Sequence, residues 1–108
     1  MNRTAAIVVL GAVYVALALL GDVGLALWAE RRVPPLGLAL AMLVHGVASA
    51  TWALQMRQGV GFGRSAAVLI LANLAGAVFL ARFAFHEALT RSHMAGIVAA
   101  VVAIVLLA

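Results

Sequence analysis

One acid stands inside the first long apolar run of this chain. Asp22 is the only charged residue between Thr4 and Ala29. A carboxylate held in hydrocarbon costs roughly 2.5 to 3.5 kcal/mol on insertion scales, so such residues face a protein interior or a wet cavity and mark a site by default. The chemistry open to it is exchange of a proton for a cation. Three other polar side chains within the apolar runs could assist it. Tyr14 and Asn73 can add hydrogen bonds, and His45, close to the middle of the second run, can be a proton-exchange partner for Asp22. Each has a structural alternative. Asp22 can be an interfacial or capping acid, His45 a neutral ring hydrogen-bonded to a neighbouring helix, and Asn73 a polar contact between helices. Arg57, Arg64 and Arg82 form a second candidate set, because a planar guanidinium donates two hydrogen bonds to a lipid phosphate. Ordinary headgroup contact is the alternative for each.

Other patterns do not reach chemistry. His86 and His93 are seven residues apart with Glu87 beside the first, which is no sufficient metal-ligand spacing, and the chain contains no cysteine. Gly59, Gly61 and Gly63 alternate in the second connection, but no strand precedes them and no Lys-Ser/Thr follows, so a nucleotide loop is rejected. The net charge of +4 comes from seven arginines without a lysine and with few acids. No basic run with interleaved aromatics exists, so nucleic acid is not an expected partner. Neither an enzyme nor a cofactor is expected.

The elements that must position these residues follow from composition. The chain is 68 % hydrophobic and 9 % charged, against about 45–50 % and about 25 % for a soluble domain. Its solvent must therefore be lipid. At about 20 residues per span, 108 residues accommodate four helices with little left over. The expected fold is an all-α integral membrane protein, a single four-helix transmembrane domain over 1–108 with spans at about 4–29, 36–56, 65–85 and 93–108. Short connections make neighbouring helices antiparallel in a bundle. Arg3 before the first run gives the look of a signal peptide, but that run is too long for one and three more follow. Trp28 is placed as an interfacial anchor, Pro34-Pro35 breaks the chain before the second span, and Gly46 and Ala50 form a small-xxx-small pair. The last span, about 16 residues, is at the short edge of what crosses a bilayer, so either the membrane thins or the helix extends back into the connection.

The stretch Phe85-His86-Glu87-Ala88-Leu89-Thr90, followed by Gly96 and an apolar run, resembles the ending of small multidrug resistance proteins and of the wider drug/metabolite transporter superfamily. Gly21-Asp22-Val23 resembles the stretch that carries that family's membrane-embedded glutamate, so the resemblance gives Asp22 the role of proton and cation site. It also implies a bacterial cytoplasmic membrane. The pattern departs from the drug exporters at the third span, where Ala66 and Leu69 occupy the positions of an aromatic pair beneath the substrate, and Asp is shorter than Glu. The missing aromatic cage also makes the chain similar to superfamily subunits that help flip a lipid-linked sugar, although those lack the span-one acid.

Three functions are compatible with these readings. The first is a small transporter coupling protons or cations to a small amphiphilic or cationic substrate through Asp22, with Tyr14, His45 and Asn73 assisting. The second is a flippase subunit holding a lipid phosphate at Arg57, Arg64 or Arg82. The third is an accessory subunit of a larger membrane complex. The expected partners are membrane lipids and either a second copy, antiparallel or not, or a hetero-oligomeric membrane complex. With four spans both termini share a side with Arg3, Arg57 and Arg64, opposite Arg31, Arg32, Arg91 and, when it snorkels, Arg82. The positive-inside rule gives almost no direction, and two opposed copies would form an inverted repeat.

Overall fold

The computed structural model describes residues 2–107, all-helical apart from short connections. Met1 and Ala108, which end the expected single domain and the expected fourth span, lie outside the described residues. Four helices follow in order: α1 Arg3–Ala29, α2 Pro35–Met56, α3 Phe62–Phe83 and α4 Arg91–Leu107. The first three have the length and apolarity needed to cross a membrane. At 1.5 Å per residue they extend about 40, 33 and 33 Å, against a hydrocarbon core of about 30 Å. The apolar α4 has 17 residues, or about 26 Å. The chain divides into two compact units, Met1–Val60 and Gly61–Ala108, the first built on α1 packed against α2 and the second on α3 packed against α4.

Local chemistry sets the helix ends. The Asn2 side chain caps α1 by accepting from the Ala5 N–H at 2.7 Å. At the other end the Arg31 N–H donates to the Trp28 carbonyl and the Arg32 N–H to the Leu27 carbonyl, while Arg31 is left-handed at φ 59°. This is a Schellman turn with arginine in the place usually held by glycine. Pro34 then caps α2 with Pro35 at its first position, where a missing N–H is harmless. His86, at φ 56°, turns the chain after α3. The start of α4 is marked by a reciprocal pair: the His93 N–H donates to Thr90 Oγ1 at 3.2 Å, and the Thr90 N–H to His93 Nδ1 at 3.3 Å. This has the geometry of a capping box with histidine replacing Glu or Gln. The helix therefore extends back by two residues from the expected 93. Expected span 65–85 is shifted to 62–83, so Arg64 lies in the first turn of α3 rather than in the preceding connection.

Small residues make the contact surfaces. Gly11, Ala18 and Gly21 are buried on α1, and Ala41, Ala48, Thr51 and Gln55 on α2. The separations of seven, from 11 to 18 and from 41 to 48 to 55, are those of a shallow-angle helix seam, and residues without bulk let the backbones approach. Large apolar side chains point outward instead, with Leu20, Leu36, Leu43, Ile70, Val105 and Leu106 all more than half exposed. A globule in water would collapse on such surface; lipid tails cover it without penalty. Gly46 has open space where a Cβ would stand, so the Gly46–Ala50 pair is not part of the α1–α2 seam.

Candidate functional site

The first unit fixes the register of α1 on α2 by side-chain contacts. Gly24 meets Ala41 and Gly21 meets His45, Tyr14 packs at a tilt against Trp52, Gln55 bonds to Ile7, and Arg3 bonds to Gln58. Numbers fall along α1 as they rise along α2, so the two helices are antiparallel. The short Glu30–Pro34 connection allows no other arrangement.

That register brings Asp22 and His45 together. Their closest atoms, Asp22 Oδ1 and His45 Nε2, are 3.0 Å apart. This is ion-pair distance, but the atoms lack hydrogen-bond alignment, since Nε2 is shielded from solvent and has no hydrogen-bond partner of acceptable angle. The contact is one of proximity, not of a directed bond. About a third of each side chain is left open, 38 % for Asp22 and 35 % for His45. Asp22 is seven residues, about 10 Å of helix, from the end of α1, and His45 ten residues, about 15 Å, from the start of α2. Both lie well inside the apolar segments.

Gly21 makes the approach possible. A Cβ at Gly21 would stand 2.6 Å from Cδ2 and 2.8 Å from Nε2 of the His45 ring. Those spacings are below any van der Waals contact, so the imidazole occupies the space a side chain would need. The sequence draws attention to Asp22 but leaves this role of its neighbour unseen. The signal that could have found it is the seven-residue recurrence of small residues on both helices, which is faint in a chain so rich in alanine.

Tyr14 is half-buried, eight residues from Asp22, about 12 Å along α1, and its ring lies 5.7 Å from that of Trp52 at 52°. It does not join the Asp22–His45 couple. Asn73 belongs to α3 in the second unit, half-buried with Oδ1 shielded. Arg57 is exposed at the end of α2. Arg64 donates from Nε to the Leu107 carbonyl at 3.0 Å, satisfying one of the open carbonyls at the end of α4. Arg82 is exposed in the last turn of α3, its guanidinium carbon 5.8 Å from the centre of the Phe83 ring.

No protein-family model, curated protein or solved structure matches this chain. Its chemistry must be argued from its own atoms. Gln55 is a further polar residue on the seam: 5 % exposed, it donates from Nε2 to the Ile7 carbonyl at 2.9 Å while Oε1 is buried without a hydrogen-bond partner. A cleft of about 350 Å³ opens near the α1–α2 turn, lined by Trp28, Ala29, Arg31 and Val33, and not at the acid. Among the described residues no three histidine, aspartate or glutamate side chains converge in a metal-binding group.

Proposed function

We propose that this chain is a small proton-coupled membrane transporter of the small multidrug resistance or drug/metabolite transporter kind, with Asp22 as the site that binds proton and substrate cation in turn. Its four helices form an antiparallel bundle in a bacterial cytoplasmic membrane, and two copies assemble around the acid. The observation that carries this reading is the 3.0 Å contact between Asp22 and His45 within an apolar helix pair. A lone capping acid needs no titratable neighbour at this depth. A site that must change charge during a cycle does, because ligands shift a two-state equilibrium only through differential affinity for the states.

The substrate class follows from what surrounds the acid. On the α1–α2 side glycine and alanine line the seam, and the aromatic pair described there, Tyr14 and Trp52, lies about two turns from the couple, which favours a small cation over a large flat one. The lipid-flippase alternative draws less support, since Arg64 is engaged by the Leu107 carbonyl and Arg82 lies beside Phe83.

The test is transport in proteoliposomes carrying a pH gradient, with tetramethylammonium as the probe. Asp22→Asn is expected to reduce proton-coupled flux to the level of empty liposomes while helix content by circular dichroism is unchanged. Flux equal to wild type in that variant would sink the mechanism.

A further inference from the structure

We infer that the cleft at the α1–α2 turn is a seat for the phosphodiester group of an anionic membrane lipid, with the Arg31 guanidinium and the Trp28 indole N–H as its donors. This site stands apart from the exchange reaction at Asp22, and neither requires the other.

The depth suits a headgroup. α1 has 27 residues, about 40 Å of helix against a hydrocarbon core of about 30 Å, so it cannot keep both ends in the oily layer. Trp28 is the last residue but one of α1, and Arg31 lies two residues beyond its end. Tryptophan settles where lipid tails meet headgroups, with its ring in the apolar layer and its N–H towards polar groups.

Both donors are uncommitted. Among the described residues, neither the Trp28 nor the Arg31 side chain has a hydrogen-bond or ion-pair partner. The neighbouring acid is turned to the next arginine, Glu30 Oε2 lying 3.4 Å from Arg32 Nη1. Nor is the Arg31 guanidinium needed to cap α1, since the carbonyls of Ala26, Leu27 and Trp28 already accept from the N–H groups of Glu30, Arg32 and Arg31. The C-terminal pole of α1 stands beside the N-terminal pole of α2, so the helix dipoles oppose one another and side-chain charge sets the sign of the turn. Glu30 against Arg31 and Arg32 leaves one positive charge.

The walls are built for a small group. The cleft holds about 350 Å³ between Trp28, Ala29, Arg31 and Val33. That is the low end of ligand pockets, about 300–1,000 Å³, and it admits a headgroup and not a whole lipid. Val33 is seated in space that Gly37 leaves free, where a Cβ would stand 2.7 Å from Val33 Cγ2. Arg31 is held at φ 59°, a conformation glycine adopts at no steric cost. Strained backbone of this kind gathers at ligand sites, and a guanidinium is what glycine could not supply. Its planar fork donates paired hydrogen bonds to the free oxygens of a phosphodiester. The exposed ring of Trp28 favours an anion that carries hydrocarbon with it over a free one.

The test uses the full chain in nonionic detergent micelles, with phosphatidylglycerol added and the lipid-bound protein measured by native mass spectrometry. Wild type is expected to hold phosphatidylglycerol in preference to phosphatidylcholine. Arg31→Gly should weaken that binding about tenfold, and Trp28→Phe, which keeps an aromatic ring and loses the donor, about threefold. Glycine suits the left-handed turn, so helix content is expected to stay as in wild type and the loss to report the guanidinium alone. Arg91→Gln, which removes the same charge at the start of α4, should bind as wild type does. Binding undiminished in Arg31→Gly, or diminished equally in Arg91→Gln, overturns the inference, because the lipid is then drawn by overall charge and not by this cleft. Equal affinity for phosphatidylcholine overturns it as well, since the cleft would not be reading a net negative charge. Displacement of phosphatidylglycerol by millimolar inorganic phosphate would overturn the lipid assignment in favour of a free anion.

Discussion

Among the described glycines Gly21 has the least room for a Cβ, and its importance is steric. Substituting alanine puts a methyl group 2.6 Å from a ring carbon of His45, and neither partner is the free end of a flexible chain. Either the helices separate or the ring swings away from Asp22. Overpacking of this kind costs about 1–3 kcal/mol. Gly21→Ala should therefore destabilise the α1–α2 unit by that amount, read as a lower unfolding midpoint in detergent micelles. Removing the ring restores the space, so the double variant Gly21→Ala/His45→Ala should recover most of the loss relative to what the two changes sum to. Simple additivity would mean that Gly21 serves the approach of the backbones and not the seat of the ring. Gly46 supplies the control. It directly follows His45, yet a Cβ there meets nothing within 4 Å, so Gly46→Ala should leave the midpoint unchanged or raise it slightly through better helix propensity.

At the scale of the helix, Arg31 is the place where local structure is least suited to its residue. It takes the left-handed position of a Schellman turn at φ 59°, which costs an L-residue about 1–2 kcal/mol. Arg31→Gly should raise the unfolding free energy by about 0.5–1 kcal/mol, the gain being cut by glycine's greater freedom in the unfolded chain; a loss of stability would show that the guanidinium holds something this turn does not reveal. The same position illustrates what can be read from residues alone. Apolar runs bounded by Pro34-Pro35 and by arginines locate α1 and α2 within one residue, because composition reports burial in lipid directly. Both ends of α3 and the start of α4 are shifted by two or three residues; the end of α3 and the start of α4 depend on backbone reversal at His86 and on the Thr90–His93 caps, which hydropathy does not register. At the site the residue types are legible and their pairing is not. Asp22 and His45 stand out as ionisable groups in oily segments, but helices apolar on every face carry no periodic signal for which side meets a neighbour. The contact surface is written in glycine and alanine, and only the spacing of seven distinguishes those from the many alanines that face outward.

The molecule as a whole presents the membrane with nearly balanced charge. Under the four-span reading, Arg3, Arg57 and Arg64 share the side of the termini, while Arg31, Arg32, Arg82 and Arg91 lie at the other. Glu30 sits 3.4 Å from Arg32, but an exposed pair of this kind contributes little, and acids count little in orienting spans. Insertion should then proceed in both directions. Carboxy-terminal fusions to a reporter active only in the cytoplasm and to one active only outside it are both expected to give signal. Neutralising Arg32 and Arg91 with glutamine leaves three arginines against two, and should move the population towards termini in the cytoplasm. If wild type adopts a single orientation and the two substitutions leave it there, the balance of arginines is not what orients the chain, and the opposed pair of copies loses its basis. If both orientations occur and the substituted chain, now facing one way, also loses cation transport while its helix content is unchanged, the site requires two copies inserted in opposite senses. Restoring transport by co-expressing a chain biased the other way would then place the exchange function in the pair rather than in either copy, since neither chain alone could supply the inverted repeat from which alternating access is built.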